Sequence, residues 1–490
     1  MPIEPTLEQF KKELKRGNVV PVCLKLPGDL ETPVSIFLKL AQKKSDAFLL
    51  ESVELEEQLG RFSLIGMDPE VLVEHRNGIS VISKNNAVQS KTEGFLKTTR
   101  ELLSRYRLST RLKLPPLIGS LVGFIGYELV QEFEDIELKP KKGLPVPDSV
   151  FMFPTNLVVF DHIKHELKLV HLAIGNGATS AERMYRKAAQ ELLRMKAELN
   201  RPVLIQNKKQ RIKKIKKLNS NLSKREFESL VQRAKEHIRA GDCIQIVLSQ
   251  RFDLGTIEDD FQIYRALRSL NPSPYMFYLK HKNFSLVGSS PEMLVKKTAR
   301  VAETRPIAGT RPRGKDAKED RINEAALRAS KKEMAEHLML VDLGRNDLGR
   351  VSDPKSVKVE DFARVERYSH VMHLVSEVRA ILKQNKSALD LLKASFPAGT
   401  VTGAPKIRAM QIIDELEKER RGPYAGSFGY FSLNGDMDMC ITIRTIVVHN
   451  QQAYVQAGAG IVNDSIPHKE YQETLNKAKA LMQAVQKTEF

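Results

Sequence analysis

Three observations predict an α+β fold with largely antiparallel sheets. Runs rich in β-branched and aromatic residues, bounded by Gly, Asn or Pro, recur through the second half of the 490-residue chain. Several are separated only by short turns, which favour antiparallel pairing. Helical patterns fall in blocks between them instead of alternating one for one with strands, unlike a regular parallel sheet.

Taken in order, LEQFKKELKRG reads as a short amphipathic helix ended by Gly17, and TPVSIFLKLAQK as another helix. AFLLESVE and RFSLIGM read as strands, and AERMYRKAAQELLRMKAEL as a long helix that closes a first half, 1–205. After a connector at 206–221, a second half, 222–490, opens with SKREFESLVQRAKEHIRAGD, where Ser223 is the N-cap and Gly241 the stop. Its strands are IQIVLSQRFDL, YMFYLKH, FSLVGSS, GSFGYFSL, MCITIRTIVVH and QAYVQAGAG, and its helices occupy 317–348, 387–393, 404–419 and 467–487. No internal repeat is visible.

With 41% hydrophobic residues the chain can bury a large core and hold more than one subdomain. The opening MPIEPTLEQFKKELKRG lacks the apolar run of a signal peptide, and no later stretch approaches ~18 uninterrupted apolar residues, so a soluble cytosolic protein is expected. Cys23, Cys243 and Cys440 are scattered and lack a CxxC spacing, which suggests reduced core residues. The net charge of +18 raises the question of nucleic acid. Its densest basic run, NKKQRIKKIKKLNSN at 207–221, has no aromatic residue for base stacking and reads as a solvated linker. A basic surface can also attract an anionic substrate.

Two pairs of glutamates carry the first chemical signal: Glu333 and Glu336 in KKEMAEHLMLVDLGRND, and Glu470 and Glu473 in PHKEYQETLNKAKAL. An i,i+3 spacing on a helix places both carboxylates of a pair on one face, and two such faces opposed form an oxygen-rich site of the kind Mg²⁺ prefers. Such pairs are also common on solvated helix faces. Around them lie PIAGTRPRG at 306–314, SHVMHLVSEV at 369–378, FPAGTVTGAPKIRAM at 396–410, GPYAGSFGYFS at 422–432 and AGAGIVNDS at 457–465. In this order and spacing the chain resembles the chorismate-utilising enzymes, most closely the large components of anthranilate synthases, over nearly its whole length.

The resemblance implies layered sheets flanked by helices, with the two halves interdigitated. It also implies roles for particular residues. Chorismate is a dianion with an enolpyruvyl ether and a 4-hydroxyl leaving group, so its enzyme must neutralise carboxylates and assist loss of a hydroxyl. Arg444, in the strand ITIRTIV, and Tyr424 match the positions that hold the pyruvyl carboxylate; an arginine among β-branched residues is costly to bury without an anion. Gly309, Thr310, Thr400, Gly458 and Gly460 match loops around the substrate, where glycine permits close backbone approach. Glu336 and Glu473 match direct Mg²⁺ ligands, Glu333 and Glu470 the water-mediated pair, and Lys477 a position near the ring carboxylate. His373 matches the active-site histidine, with His370 its neighbouring decoy, and Glu292 the general acid for the 4-hydroxyl.

Gln245 stands where family members that add water commonly carry a lysine; a neutral glutamine cannot act as a general base and fits an ammonia nucleophile. Ala308 stands where many aminodeoxychorismate synthases carry a lysine, which points to direct attack of ammonia at C2. Glu51 and Ser52, with Asn271, Pro272, Tyr275 and Met276, resemble the family's tryptophan feedback pocket. No cysteine sits in a Gly-x-Cys-x-Gly elbow, so the ammonia source implied is a glutamine amidotransferase subunit, in a heterotetramer of two large and two small chains. An aminodeoxychorismate synthase and a non-catalytic tryptophan-binding protein remain alternatives.

Overall fold

The computed structural model describes residues 2–52, 60–84, 87–175, 177–203, 219–368 and 371–487. Its strands form two large sheets, each antiparallel throughout. The first runs, neighbour to neighbour, through Ile3–Glu4, Val19–Pro27, Glu166–Ile174, Ser149–Asp161, Phe62–Arg76, Asp46–Glu51, Tyr275–His281, Phe284–Ser290, Thr445–His449, Gln452–Ile461 and Gln245–Thr256. The second runs through Ala87–Glu93, Ile79–Lys84, the far ends of Phe62–Arg76 and Ser149–Asp161, then Ser120–Ile125, Ser427–Ser432, Met437–Ile441, Met293–Thr298, Val301–Thr304 and Val371–Ile381.

Each sheet is therefore part first half and part second half. Met276 pairs with Glu51 in one, and Phe428 with Phe124 in the other. The long strands Phe62–Arg76 and Ser149–Asp161 pass from sheet to sheet, and their register shifts where Pro69 faces Pro154. Neither proline has an N–H to give the ladder, so the strands can bend there at little cost in hydrogen bonds. Asp68, at φ +53°, accepts from Thr155 Oγ1 through its carbonyl at 2.6 Å and from Asn156 Nδ2 through its carboxylate at 2.9 Å, which secures the bend.

The main core lies between the sheets. Phe277 stacks on Phe428 at 4.0 Å and 5°, and Phe124 meets Phe284 at 5.5 Å. Such ring pairs add about 1 kcal/mol to what burial alone contributes. Helices Leu7–Leu14, Pro33–Leu40, Ala181–Leu199, Asp260–Leu270 and Pro467–Gln486 cover the outer face of the first sheet. Lys224–Arg239 and Lys406–Leu416 cover the strand Gln245–Thr256, and Lys331–Gly349 lies on Val371–Ile381. No helix among the described residues is long and apolar enough to cross a membrane.

The sequence-derived elements meet this architecture with three differences. Ser223 and Glu226 form a full capping box, as that spacing favours, and Gly241 follows the helix at φ +84°. The block at 317–348 is two helices, because Ser330 leaves the helical conformation at ψ 105° and turns its hydroxyl to the Glu333 N–H. The run MCITIRTIVVH is also two strands, Met437–Ile441 in the second sheet and Thr445–His449 in the first. Strands such as Ser149–Asp161 were not read from sequence, since Pro154 interrupts their pattern. The expected connector falls, through residue 218, outside the described residues, as does His370.

A buried acid–base triad ties the halves. His281 Nδ1 bonds Asp46 and its Nε2 lies 3.2 Å from Glu74. Burial alone would discharge His281, but the two acids raise its pKa; burial would likewise raise Asp46, but the bonds from His281 and Ser45 hold it low, and His281 foremost draws Glu74 down to about 2. A raised histidine stabilises fully below about 6.5, its unfolded value, and loses that contribution as pH climbs through its folded value; the lowered acids stabilise above about 4 and lose theirs as pH falls toward 2. His281→Gln should cost on the order of 3 kcal/mol, with the largest loss between about pH 4.5 and 6.5, read as the difference between wild-type and variant melting temperature across pH. A loss independent of pH would refute the triad.

Candidate active site

The predicted site residues come from strands of both sheets and from the first turns of two helices. In the strand Ile307–Pro312 the register against Val371–Ile381 shifts between Ala308 and Arg311, with Gly309 at φ +65°. That bulge, which a side chain at 309 would strain, turns the Gly309 carbonyl to His373 Nδ1 at 2.8 Å, with Thr310 Oγ1 at 3.2 Å. A carbonyl can only accept, so Nδ1 carries the proton and Nε2 is left with its lone pair. Burial first, then the Arg444 charge, lowers the His373 pKa, which favours this neutral tautomer.

Arg444 was expected inside a strand. It instead occupies the step between two strands at φ +48°, where the chain leaves one sheet for the other. No carboxylate among the described residues lies within ion-pair distance of its guanidinium, and burial lowers its pKa despite the field of Glu292. Glu292 itself is pushed up to about 7 by burial, against the opposing pull of Thr400, Lys477 and Arg444. Thr400 Oγ1 is buried without a well-formed hydrogen bond, yet stands close enough to Glu292 to favour its charged form. Both line a cavity of about 40 Å³ with Leu343, Gly344 and Asp347.

Gln245 heads its strand opposite the end of Gln452–Ile461. A Cβ on Gly460 would lie 2.3 Å from Gln245 Nε2, and one on Gly458 2.6 Å from the Tyr424 hydroxyl, so glycine is required at both for these side chains to reach inward. Gln245 Oε1 is buried with no hydrogen-bond partner among the described residues. Burial pushes Tyr424 up to about 12, which keeps its hydroxyl a donor. Lys477 donates to the Gly458 carbonyl at 2.9 Å and pairs with Glu473 at 2.7 Å.

The four glutamates come from two facing helix starts. Glu333 lies in the first turn of Lys331–Gly349 and Glu470 in that of Pro467–Gln486. Burial, then the charges of Glu333 and Glu473, raise Glu336; burial and Glu473 raise Glu470. This all-oxygen, mutually repelling set suits a hard dication. Among the described residues, however, no three acidic, histidine or cysteine side chains converge tightly enough to hold an ion as they stand.

The six residues read as a tryptophan pocket lie apart from this centre. Met276 faces Glu51 across the ladder, Ser52 follows that strand, and Asn271 and Pro272 precede Tyr275–His281. Glu51 is engaged by Tyr264 at 2.6 Å, Ser63 at 3.0 Å and Arg268 at 2.8 Å; Asn271 bonds Ser289 at 3.1 Å and Tyr275 bonds Asp438 at 3.0 Å. A cleft of about 1040 Å³ lies elsewhere again, among exposed charges of the first half such as Arg105, Arg183 and Lys187. Of the sequence-predicted site residues, Glu292 and Thr400 line the small cavity instead. Sequence reasoning missed Arg421 and Glu417, which stand beneath Tyr424. Their i,i+4 spacing was the available signal.

Residues 45–483 match the chorismate binding enzyme family. The anthranilate synthase component 1 of Acetivibrio thermocellus is 44% identical over 98% of each chain, and that of Aquifex aeolicus 45% identical over 99% of this chain and 98% of its own. The crystal structure of anthranilate synthase component I from Streptococcus pneumoniae superposes with a TM-score of 0.75 at 37% identity, covering 93% of this chain and 98% of that one. The menaquinone-specific isochorismate synthase of Escherichia coli, at 20% identity and a TM-score of 0.73 over 98% of each chain, shares the fold. Arg444, Glu292 and the glycine-lined strands thus stand in a chain that belongs to the chorismate binding enzyme family, on its anthranilate synthase component 1 branch.

Proposed function

We propose that this chain converts chorismate and ammonia to anthranilate, pyruvate and water, the first committed step toward tryptophan. The observation that carries the reading is Arg444, a half-buried guanidinium with no carboxylate among the described residues within ion-pair distance, in the field of Glu292, whose own carboxyl is pushed up to about 7. A guanidinium in that state calls for a carboxylate from solution, and chorismate brings two. Arg444 and the Tyr424 hydroxyl bind the pyruvyl carboxylate, and the Gly458 strand lets it approach. Lys477 serves the ring carboxylate.

Glu292, protonated near neutrality, gives its proton to the departing 4-hydroxyl, which leaves as water. Gln245 can orient a neutral nucleophile but cannot deprotonate water, which supports ammonia attacking C2. His373, with Nε2 free, removes the C2 proton as pyruvate leaves and the ring becomes aromatic. Glu336 and Glu473, backed by Glu333 and Glu470, are the residues to hold Mg²⁺, which supplies a Lewis acid for the ring carboxylate. What supports the site is the oxygen-only donor set and the like-charge elevation of Glu336 and Glu470. The ammonia comes from a glutamine amidotransferase subunit, in a heterotetramer, and tryptophan bound at Glu51, Ser52, Asn271, Pro272, Tyr275 and Met276 restrains turnover.

The direct test gives the purified chain chorismate, Mg²⁺ and ammonium, with products separated by chromatography and tryptophan added in a parallel series. Anthranilate formation that saturating tryptophan depresses is expected; a non-aromatic amino-chorismate would move the chain to the folate branch. Glu292→Gln should lower kcat by roughly 10²–10⁴. The wild-type rate per free ammonia should fall above about pH 7 as Glu292 ionises, and that limb should vanish in the variant. Glu336→Gln should weaken calorimetric Mg²⁺ binding at least about tenfold without lowering the metal-free melting temperature, because the replacement relieves repulsion. Unchanged Mg²⁺ affinity would remove the metal assignment.

A further inference from the structure

Arg421 is not among the residues proposed to hold substrate, yet segments carrying three of those site residues meet on it. It follows the helix Lys406–Leu416 and is 2% exposed. Its Nε and Nη2 bond both oxygens of Glu417 at 2.8 and 2.7 Å. Two further N–H groups reach backbone carbonyls: Nη1 donates to Val401 at 2.7 Å, next to Thr400, and Nη2 to Val247 at 2.8 Å, on the strand headed by Gln245. The guanidinium also lies 4.8 Å from the Tyr127 ring and 5.6 Å from the Tyr424 ring.

Its partner is anchored just as fully. Glu417 Oε1 accepts from the Ser249 N–H at 2.8 Å and the Ser249 hydroxyl at 2.9 Å, so the pair grips the same strand twice. From the first half, Glu128 accepts the Arg421 N–H at 2.7 Å, and the Tyr127 N–H donates to the Gly422 carbonyl at 2.8 Å. One planar, five-donor group thus sets the relative places of Gln245, Thr400 and Tyr424. Lysine, a single point donor, cannot reproduce this geometry.

We propose that Arg421, held by Glu417, is the positioning residue of this site, fixing Thr400, Gln245 and Tyr424 relative to one another through a single buried guanidinium. The proposal rests on the chorismate-converting reading of the same site. Small misplacements of catalytic groups are costly even when binding survives, because reaction demands tighter geometry than affinity does. Thr400, with Lys477 and Arg444, is also one of the groups facing Glu292, so loosening its turn alters proton affinity there as well as distance.

The test compares Arg421→Lys and Glu417→Gln with wild type by melting temperature, by kcat and KM for chorismate with ammonium, and by the pH dependence of turnover. Arg421→Lys should lose on the order of 10²-fold in kcat with a much smaller change in KM, and its alkaline limb should move to higher pH as Thr400 ceases to favour the Glu292 carboxylate. Glu417→Gln should shift both in the same sense by less, and it carries the test alone if the lysine variant does not fold. Variants that lose melting temperature but keep wild-type kcat, KM and pH profile would make the pair purely structural and overturn the proposal. Wild-type product identity is scored separately: a product other than anthranilate defeats the functional reading while the kinetic comparison still stands, and absence of both turnover and calorimetric chorismate binding defeats both.

Discussion

Two ladders between the halves hold everything else in place: Tyr275–His281 on Asp46–Glu51, and Ser427–Ser432 on Ser120–Ile125. Each completes a sheet that neither half could complete alone, and the core between the sheets draws on both. Phe277 stacked on Phe428 at 4.0 Å joins two strands each paired to the first half. Antiparallel register leaves little freedom, since a one-residue slip would send each inward ring to the outer face. The site inherits that rigidity, because the step from Met437–Ile441 to Thr445–His449 that places Arg444 exists only if both sheets are formed.

On this frame the electrostatics are arranged by burial more than by pairing. Arg444 has no counter-ion among the described residues, Glu292 is raised to about 7, and Glu336 is raised by burial and its neighbours' charges. Each arrangement costs stability, because a charge is held partly out of water or beside its like. Beneath them the buried Arg421–Glu417 pair is held by two hydrogen bonds between its members and two more to the Val247 and Val401 carbonyls.

Much of this was legible in the residues. The glutamate spacing, the glycines at 309, 458 and 460, and the helix caps at Ser223 and Gly241 are local signals, and local chemistry explains them. The strand runs of the second half were readable because β-branched and aromatic residues crowd them between turn residues. First-half strands such as Ser149–Asp161 were harder, since a buried strand with an internal proline has neither clean alternation nor clean ends. The break at Ser330 was hidden because serine serves equally inside a helix and at its cap.

The sequence by itself determined the fold class, the family and the residue types that the chemistry requires, since these follow from periodicity, spacing and functional groups along one segment at a time. Only the tertiary structure decided that Arg444 sits at a crossover and not within a strand, that Glu292 is buried enough to stay protonated near neutrality, and that Arg421 joins Val247, Val401 and Glu417. The physical reason is common to all three: burial and partner choice are properties of surfaces that meet from distant parts of the chain, and no local pattern records which surfaces will meet.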